Sequence, residues 1–134
     1  MAEFYLLVVG SRTFDNYTEA EQVMNSILSP YRDNGQRIFI ISGGAKGADA
    51  IAENYAKAHG LYSIVMKADW NKYGKAAGYY RNRAMHEFIV QHSERLCLAF
   101  WDGVSKGTQH SFKLAEEYGN PIRIYNTTMH CFVK

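Results

Sequence analysis

Three short glycine-containing segments carry residues able to grip an anion. They are Gly10-Ser11-Arg12, Gly43-Gly44-Ala45-Lys46-Gly47-Ala48-Asp49 and Asp102-Gly103-Val104-Ser105-Lys106-Gly107-Thr108. Each holds one cation, Arg12, Lys46 or Lys106, and glycine lets backbone N–H groups come close to a phosphate. Each also follows an apolar run and precedes a helical pattern, so its free N–H groups and the helix dipole favour an anion. Gly43-Gly44-x-x-Gly47 is neither the dinucleotide fingerprint nor a Walker loop. Taken singly, it fits a tight strand-to-helix turn equally well, and Arg12 fits a surface arginine. Their joint occurrence at three equivalent places points to a small-anion site.

A second concentration of unusual residues runs from Ala68 to Arg83. Trp70, Tyr73 and Tyr80 could stack on a base, while Arg81 and Asn82 could reach phosphate or sugar hydroxyls. Trp70 reads slightly more readily as a plug at the core edge. Asp49 fits a ribose-hydroxyl acceptor and a first-turn carboxylate equally. The five histidines show no ligand spacing, which argues against a metal site, and no cofactor is expected. No Gly-x-Ser-x-Gly elbow is present. Cys97, within an apolar run, reads as an inert core thiol.

Alternating strands and helices must position these segments. Phe4–Val9, Arg37–Ser42, 62–66, Leu96–Trp101 and Ile122–Tyr125 read as five strands. Helical spacing covers about 18–31, with Thr18 and Glu21 as a capping box, then 48–59, about 79–92 and about 108–118. The stretch 67–78 is polar and aperiodic and reads as a long loop, and the last residues read as a tail. Apolar strands joined by helices imply an α/β, three-layer, Rossmann-like sandwich with a five-stranded parallel sheet in the order 3-2-1-4-5. Ligands then bind beyond the carboxyl ends of the strands, where the winding reverses.

Composition bounds the rest. A chain of 134 residues, 47% hydrophobic and 21% charged, fits a single domain over 1–134 with a proper core. A net charge of +2 is too mild to announce nucleic acid or an anionic membrane, so a nucleic-acid partner is not expected. No apolar run reaches membrane-spanning length, and the amino terminus lacks signal-peptide character. Two cysteines make no disulfide framework, so a cytoplasmic protein is expected.

The motifs Val8-Val9-Gly10-Ser11-Arg12-x-Phe14, Ser42-Gly43-Gly44-Ala45-x-Gly47-Ala48-Asp49, Ala68-Asp69-Trp70-x-x-Tyr73-Gly74-x-Ala76-Ala77-Gly78, Arg81-Asn82 and Gly107-Thr108 occur in this order. Together they resemble the small YspA-like branch of the SLOG superfamily of bacteria and phages, over about residues 5–126. That superfamily also includes the LOG-type phosphoribohydrolases and the Rossmann domain of DNA-processing protein A. The resemblance implies a Rossmannoid fold, a site for nucleotide-derived ligands, and homo-oligomers. By position it matches Gly43, Gly44, Gly107 and Thr108 to phosphate contacts, and Arg12 and Arg81 to basic positions of this branch. LOG-type hydrolases carry a Pro-Gly-Gly-x-Gly-Thr loop followed closely by a catalytic Glu. Residues 103–112 of this chain lack both the proline and that Glu. An oxocarbenium-like state needs such a carboxylate, so the obvious catalyst is missing. Asp102, Asp49 and Glu87 are the candidate substitutes.

The leading expectation is therefore a protein that binds a nucleotide or an ADP-ribose-like ligand, as a sensor or sequestering protein. The expected ligand contacts are Gly10, Ser11, Arg12, Gly43, Gly44, Lys46, Gly47, Asp49, Trp70, Tyr80, Arg81, Asn82, Gly107 and Thr108. The alternatives are a nucleotide N-glycosidase or phosphoribohydrolase, and single-stranded DNA binding.

Overall fold

A computed structural model describes residues 2–134. Its elements run β1 (Glu3–Gly10), α1 (Tyr17–Asp33), β2 (Arg37–Ser42), α2 (Ala48–Ala58), β3 (Tyr62–Val65), α3 (Trp70–Tyr73), a 3-10 turn (Gly74–Ala76), α4 (Ala77–Ile89), β4 (Arg95–Trp101), α5 (Lys106–Tyr118), β5 (Ile122–Asn126) and β6 (Cys131–Phe132). The sheet order is β3-β2-β1-β4-β5-β6, with every pair parallel except β5 and β6. The α/β Rossmann-like architecture thus follows the expected order and adds a sixth strand.

Continuous apolar runs make the central strands because both of their faces are covered. Phe4, Leu6 and Val8 point to one side, where they pack with Met24 and Leu28 of α1 and Ala52 and Tyr55 of α2. Tyr5, Leu7 and Val9 point to the other, against Met85 and Ile89 of α4. The alternation within one strand therefore serves two cores.

Four expectations need correction. The carboxyl-terminal residues are not a free tail: β6 pairs antiparallel with β5, and the turn is held by Asn126 Oδ1, which accepts from the N–H groups of Thr128 and Met129. The stretch 67–78 is not one loop but α3, the 3-10 turn and the start of α4. Asp69 caps α3 by accepting from Lys72 N at 3.1 Å, a local device that leaves no apolar period to detect. Helix α1 is capped by Asn16, which accepts from Glu19 N at 3.1 Å, so Thr18 lies inside the helix. Helix α5 starts at Lys106, so Thr108 is in its first turn. No helix among the described residues is long and apolar enough to cross a membrane.

Candidate functional site

The winding reverses between β1 and β4, and the β1–α1 and β4–α5 loops leave the sheet side by side there. Gly10 makes that approach possible, since a Cβ on it would lie 2.5 Å from Phe100 O and 2.7 Å from Ala48 Cβ. Ser11 is buried between the loops: its Oγ lies 3.3 Å from Ser105 Oγ and accepts from Asp102 N at 3.3 Å. It ties the two loops together and lines neither cleft described below.

Beyond these strand ends lies a cleft of about 590 Å³. Gly10, Arg12, Asp49, Arg81, Asn82, Gly107 and Thr108 all line it, so seven expected contacts are brought together. A neighbouring cleft of about 730 Å³ is lined by Gly43, Gly44, Lys46 and Trp70, and again by Arg12 and Arg81. Gly47 lines neither; it packs against the backbone of Ser11 and Arg12. Tyr80 also lines neither; its ring packs at a tilt against Tyr73, with centroids 4.4 Å apart. The ring at the first cleft is that of Tyr79, which stacks on His110 at 3.6 Å. Trp70 is no core plug; it is 52% exposed.

Arg81 organises the middle of the site. Its guanidinium donates to Gly43 O and, through Nε, to Asn82 Oδ1 at 2.9 Å. A Cβ on Gly43 would collide with that guanidinium and lie 2.9 Å from Asp49 Oδ2, so only glycine leaves both groups in place. Asp49 accepts from Ala45 N at 3.1 Å. Burial raises the pKa of its carboxyl, against the opposing pull of the Ala45 N–H and the Arg81 charge. Burial also lowers Arg81, which Asp49 counters. Asn82 Nδ2 lies 3.3 Å from His110 Nδ1, extending the polar network to α5.

The three candidate carboxylates have different positions. Asp102 lines the first cleft, but its Oδ1 already accepts from Val104 N at 2.9 Å and Ser105 N at 2.7 Å. The Val104 N–H and the other donors around it hold its carboxyl below the usual range, against a partial desolvation. Glu87 lines neither cleft; it is exposed and accepts from Tyr118 OH at 2.9 Å. Asp49 alone combines burial, a place in the cleft and a raised pKa.

Ser111 was not among the expected contacts. It is 1% exposed, lines the first cleft, and its Oγ has no hydrogen-bond partner. A buried hydroxyl without a partner costs about 1–3 kcal/mol, a cost a bound polar group removes. It lies one helical turn after Thr108, so the i, i+3 pair of hydroxyls was legible in the sequence. Ser105, at the N-cap of α5, makes no side-chain capping bond, which leaves the first-turn N–H groups free of a side-chain cap. Charge reinforces this chemistry: residues 67–83 carry five cations (Lys67, Lys72, Lys75, Arg81 and Arg83) against Asp69, although the whole chain has a net charge of only +2.

A family model described as YAcAr, the YspA, cpYpsA-related SLOG family, matches residues 5–73. The Gene 61 protein of Mycobacterium phage D29 is 33% identical over 124 residues, covering 87% of this chain and 92% of that protein. Among solved structures, DNA processing protein A (DprA) from Streptococcus pneumoniae is similar in fold, with a TM-score of 0.62 at 20% identity over 90% of this chain. This chain spans 50% of that one. The protein TM1055 is similar with a TM-score of 0.56 at 14% identity, over 89% of this chain and 72% of that one.

Proposed function

Because this chain belongs to the YspA, cpYpsA-related SLOG family, we propose that it binds a nucleotide or nucleotide-derived ligand at the carboxyl ends of its strands, in a sensing or sequestering role. The observation that carries this reading is the buried, unpartnered hydroxyl of Ser111, a residue that lines the cleft at the β1/β4 switch point, one turn along α5 from Thr108. Phosphate meets the α5 N–H groups, Thr108 and Ser111, with Arg12 and Arg81 as charge partners. Exposed Tyr79 offers a ring to the base. Asn82 and Asp49 are within the same cleft for sugar hydroxyls.

Binding is favoured over cleavage because Asp102 is committed to its own loop, Glu87 stands outside the clefts, and Asp49, the remaining candidate, already accepts from Ala45 N beside the Arg81 charge. Calorimetry with AMP and ADP-ribose tests the reading, and saturable binding is expected. Ser111→Ala should weaken AMP binding about tenfold, the value of one hydrogen bond to a charged group. The same substitution should leave the urea midpoint unchanged or slightly higher, because it deletes an unsatisfied buried hydroxyl. No saturable heat with either ligand overturns the proposal.

A further inference from the structure

The second cleft has no task in the reading above. At about 730 Å³ it is as large as the first, and either alone lies in the range that holds a small ligand. A mononucleotide seated at Thr108 and Ser111 would leave it empty. Yet its lining is specialised: Arg12, Lys46, Lys67 and Arg81 contribute four cations, and no carboxylate is among its lining residues. Trp70 adds a half-exposed indole to this lining.

The two clefts are also joined. Arg12, Ala45 and Arg81 line both, so two guanidinium groups stand where one cleft passes into the other. Arg81 is anchored there by Gly43 O and by Asn82. The sequence of groups along the site is therefore an aromatic ring (Tyr79), two cations (Arg12 and Arg81) and a second aromatic ring (Trp70). That order matches two nucleosides joined through phosphate: a base face for each ring and an anionic linkage for the paired arginines.

Building on the nucleotide-binding reading, we propose that the clefts are two lobes of one site for a dinucleotide, with the phosphate linkage on Arg12 and Arg81 and Trp70 as the residue that selects for the second nucleoside. The glycine pair serves the outer lobe directly. Gly44, at φ +70°, lets the β2–α2 loop pass close against Lys67, whose Cγ would lie 2.9 Å from any Cβ there.

The test is calorimetry on the full chain with three probes: AMP, NAD as a pyrophosphate-linked dinucleotide, and pApA as a phosphodiester-linked one. At least one dinucleotide is expected to bind tenfold or more tightly than AMP. Trp70→Ala should return that dinucleotide to within about threefold of AMP while leaving AMP itself unchanged. Which dinucleotide responds identifies the linkage. Trp70 is half exposed, so the variant should keep the wild-type urea midpoint, and that measurement accompanies the titration. If AMP binds and both dinucleotides bind no more tightly, the two-lobed site is wrong and the nucleotide reading stands. A gain that survives Trp70→Ala also overturns the proposal. If none of the probes binds the wild-type chain, both readings fail.

Discussion

Gly47→Ala is expected to destabilise the protein by about 3 kcal/mol, through backbone strain and a steric clash acting together. Gly47 precedes α2 with φ 75° and ψ −126°, a conformation open to glycine and closed to residues with a Cβ. A Cβ there would collide with Ser11 O and lie 2.5 Å from Arg12 C, which is backbone and cannot rotate away. The β1–α1 loop would have to retreat from the β2–α2 loop, moving Arg12 out of both clefts. Urea denaturation should therefore show a much lower midpoint, and AMP binding should weaken even at temperatures where the variant remains folded. Gly107→Ala is the contrast: nothing lies within 4 Å of its Cβ position, and it sits within helix α5, so its midpoint should hold or rise. Equal losses in the two variants would show that crowding of the loops is not what requires glycine at position 47.

The second large effect is a loss of stability in mild acid. His86 on α4 is fully buried, and burial, reinforced by His110, pushes its pKa down to about 4. Its Nδ1 lies 3.0 Å from Asn120 Nδ2, an amide that can only donate, so the ring is held neutral with the proton on Nε2. The unfolded chain takes up a proton near pH 6.5 and the folded one only near 4. The unfolded state thus binds more protons in that window, and stability falls as pH drops from about 6.5 to 4. The full linkage is worth about 3 kcal/mol, fully present above the upper limit and lost by the lower one. Urea midpoints measured across this range should drop steeply for the wild type. In His86→Leu the slope should flatten, although the variant starts lower because Asn120 Nδ2 keeps only the main-chain carbonyl of residue 86 as a partner. An unchanged slope in that variant would assign the acid sensitivity to other groups.

Asp49 acts in the opposite sense. Its folded pKa is raised by burial, so it contributes stability below the ordinary carboxylate range that is lost as pH rises through the folded value. Ionising Asp49 in the folded chain therefore carries a cost that Arg81, beside it in the cleft, partly offsets. Costly placements of this kind concentrate where a protein binds or reacts.

Much of this was legible in the sequence, and the parts that were not share a cause. Tyr5–Val9 and Cys97–Phe100 are apolar without interruption, and that pattern alone requires helices on both faces and a parallel sheet. The strand β6 has only two residues, Cys131 and Phe132, too few for any period. It exists because the Asn126 side chain closes the turn and Val133 N donates to Ile124 O. Trp70–Tyr73 is likewise shorter than two helical turns and rests on the single Asp69 cap.

The sequence by itself determined the layered α/β architecture and the clustering of candidate contacts at the carboxyl ends of the strands, because these follow from periodicity and from residue types that recur at each strand end. Only the tertiary structure decided which groups meet. Tyr79 and Tyr80 are adjacent and chemically identical, yet a rotation of about 100° per residue along α4 sends one to His110 and the cleft and the other to Tyr73. Ser111 is an ordinary helical serine until the packing of α5 leaves its hydroxyl buried and unpartnered. Arg81 lines both clefts and, 38 residues from Gly43, reaches across to that carbonyl, and a contact between such distant positions leaves no local pattern in the chain.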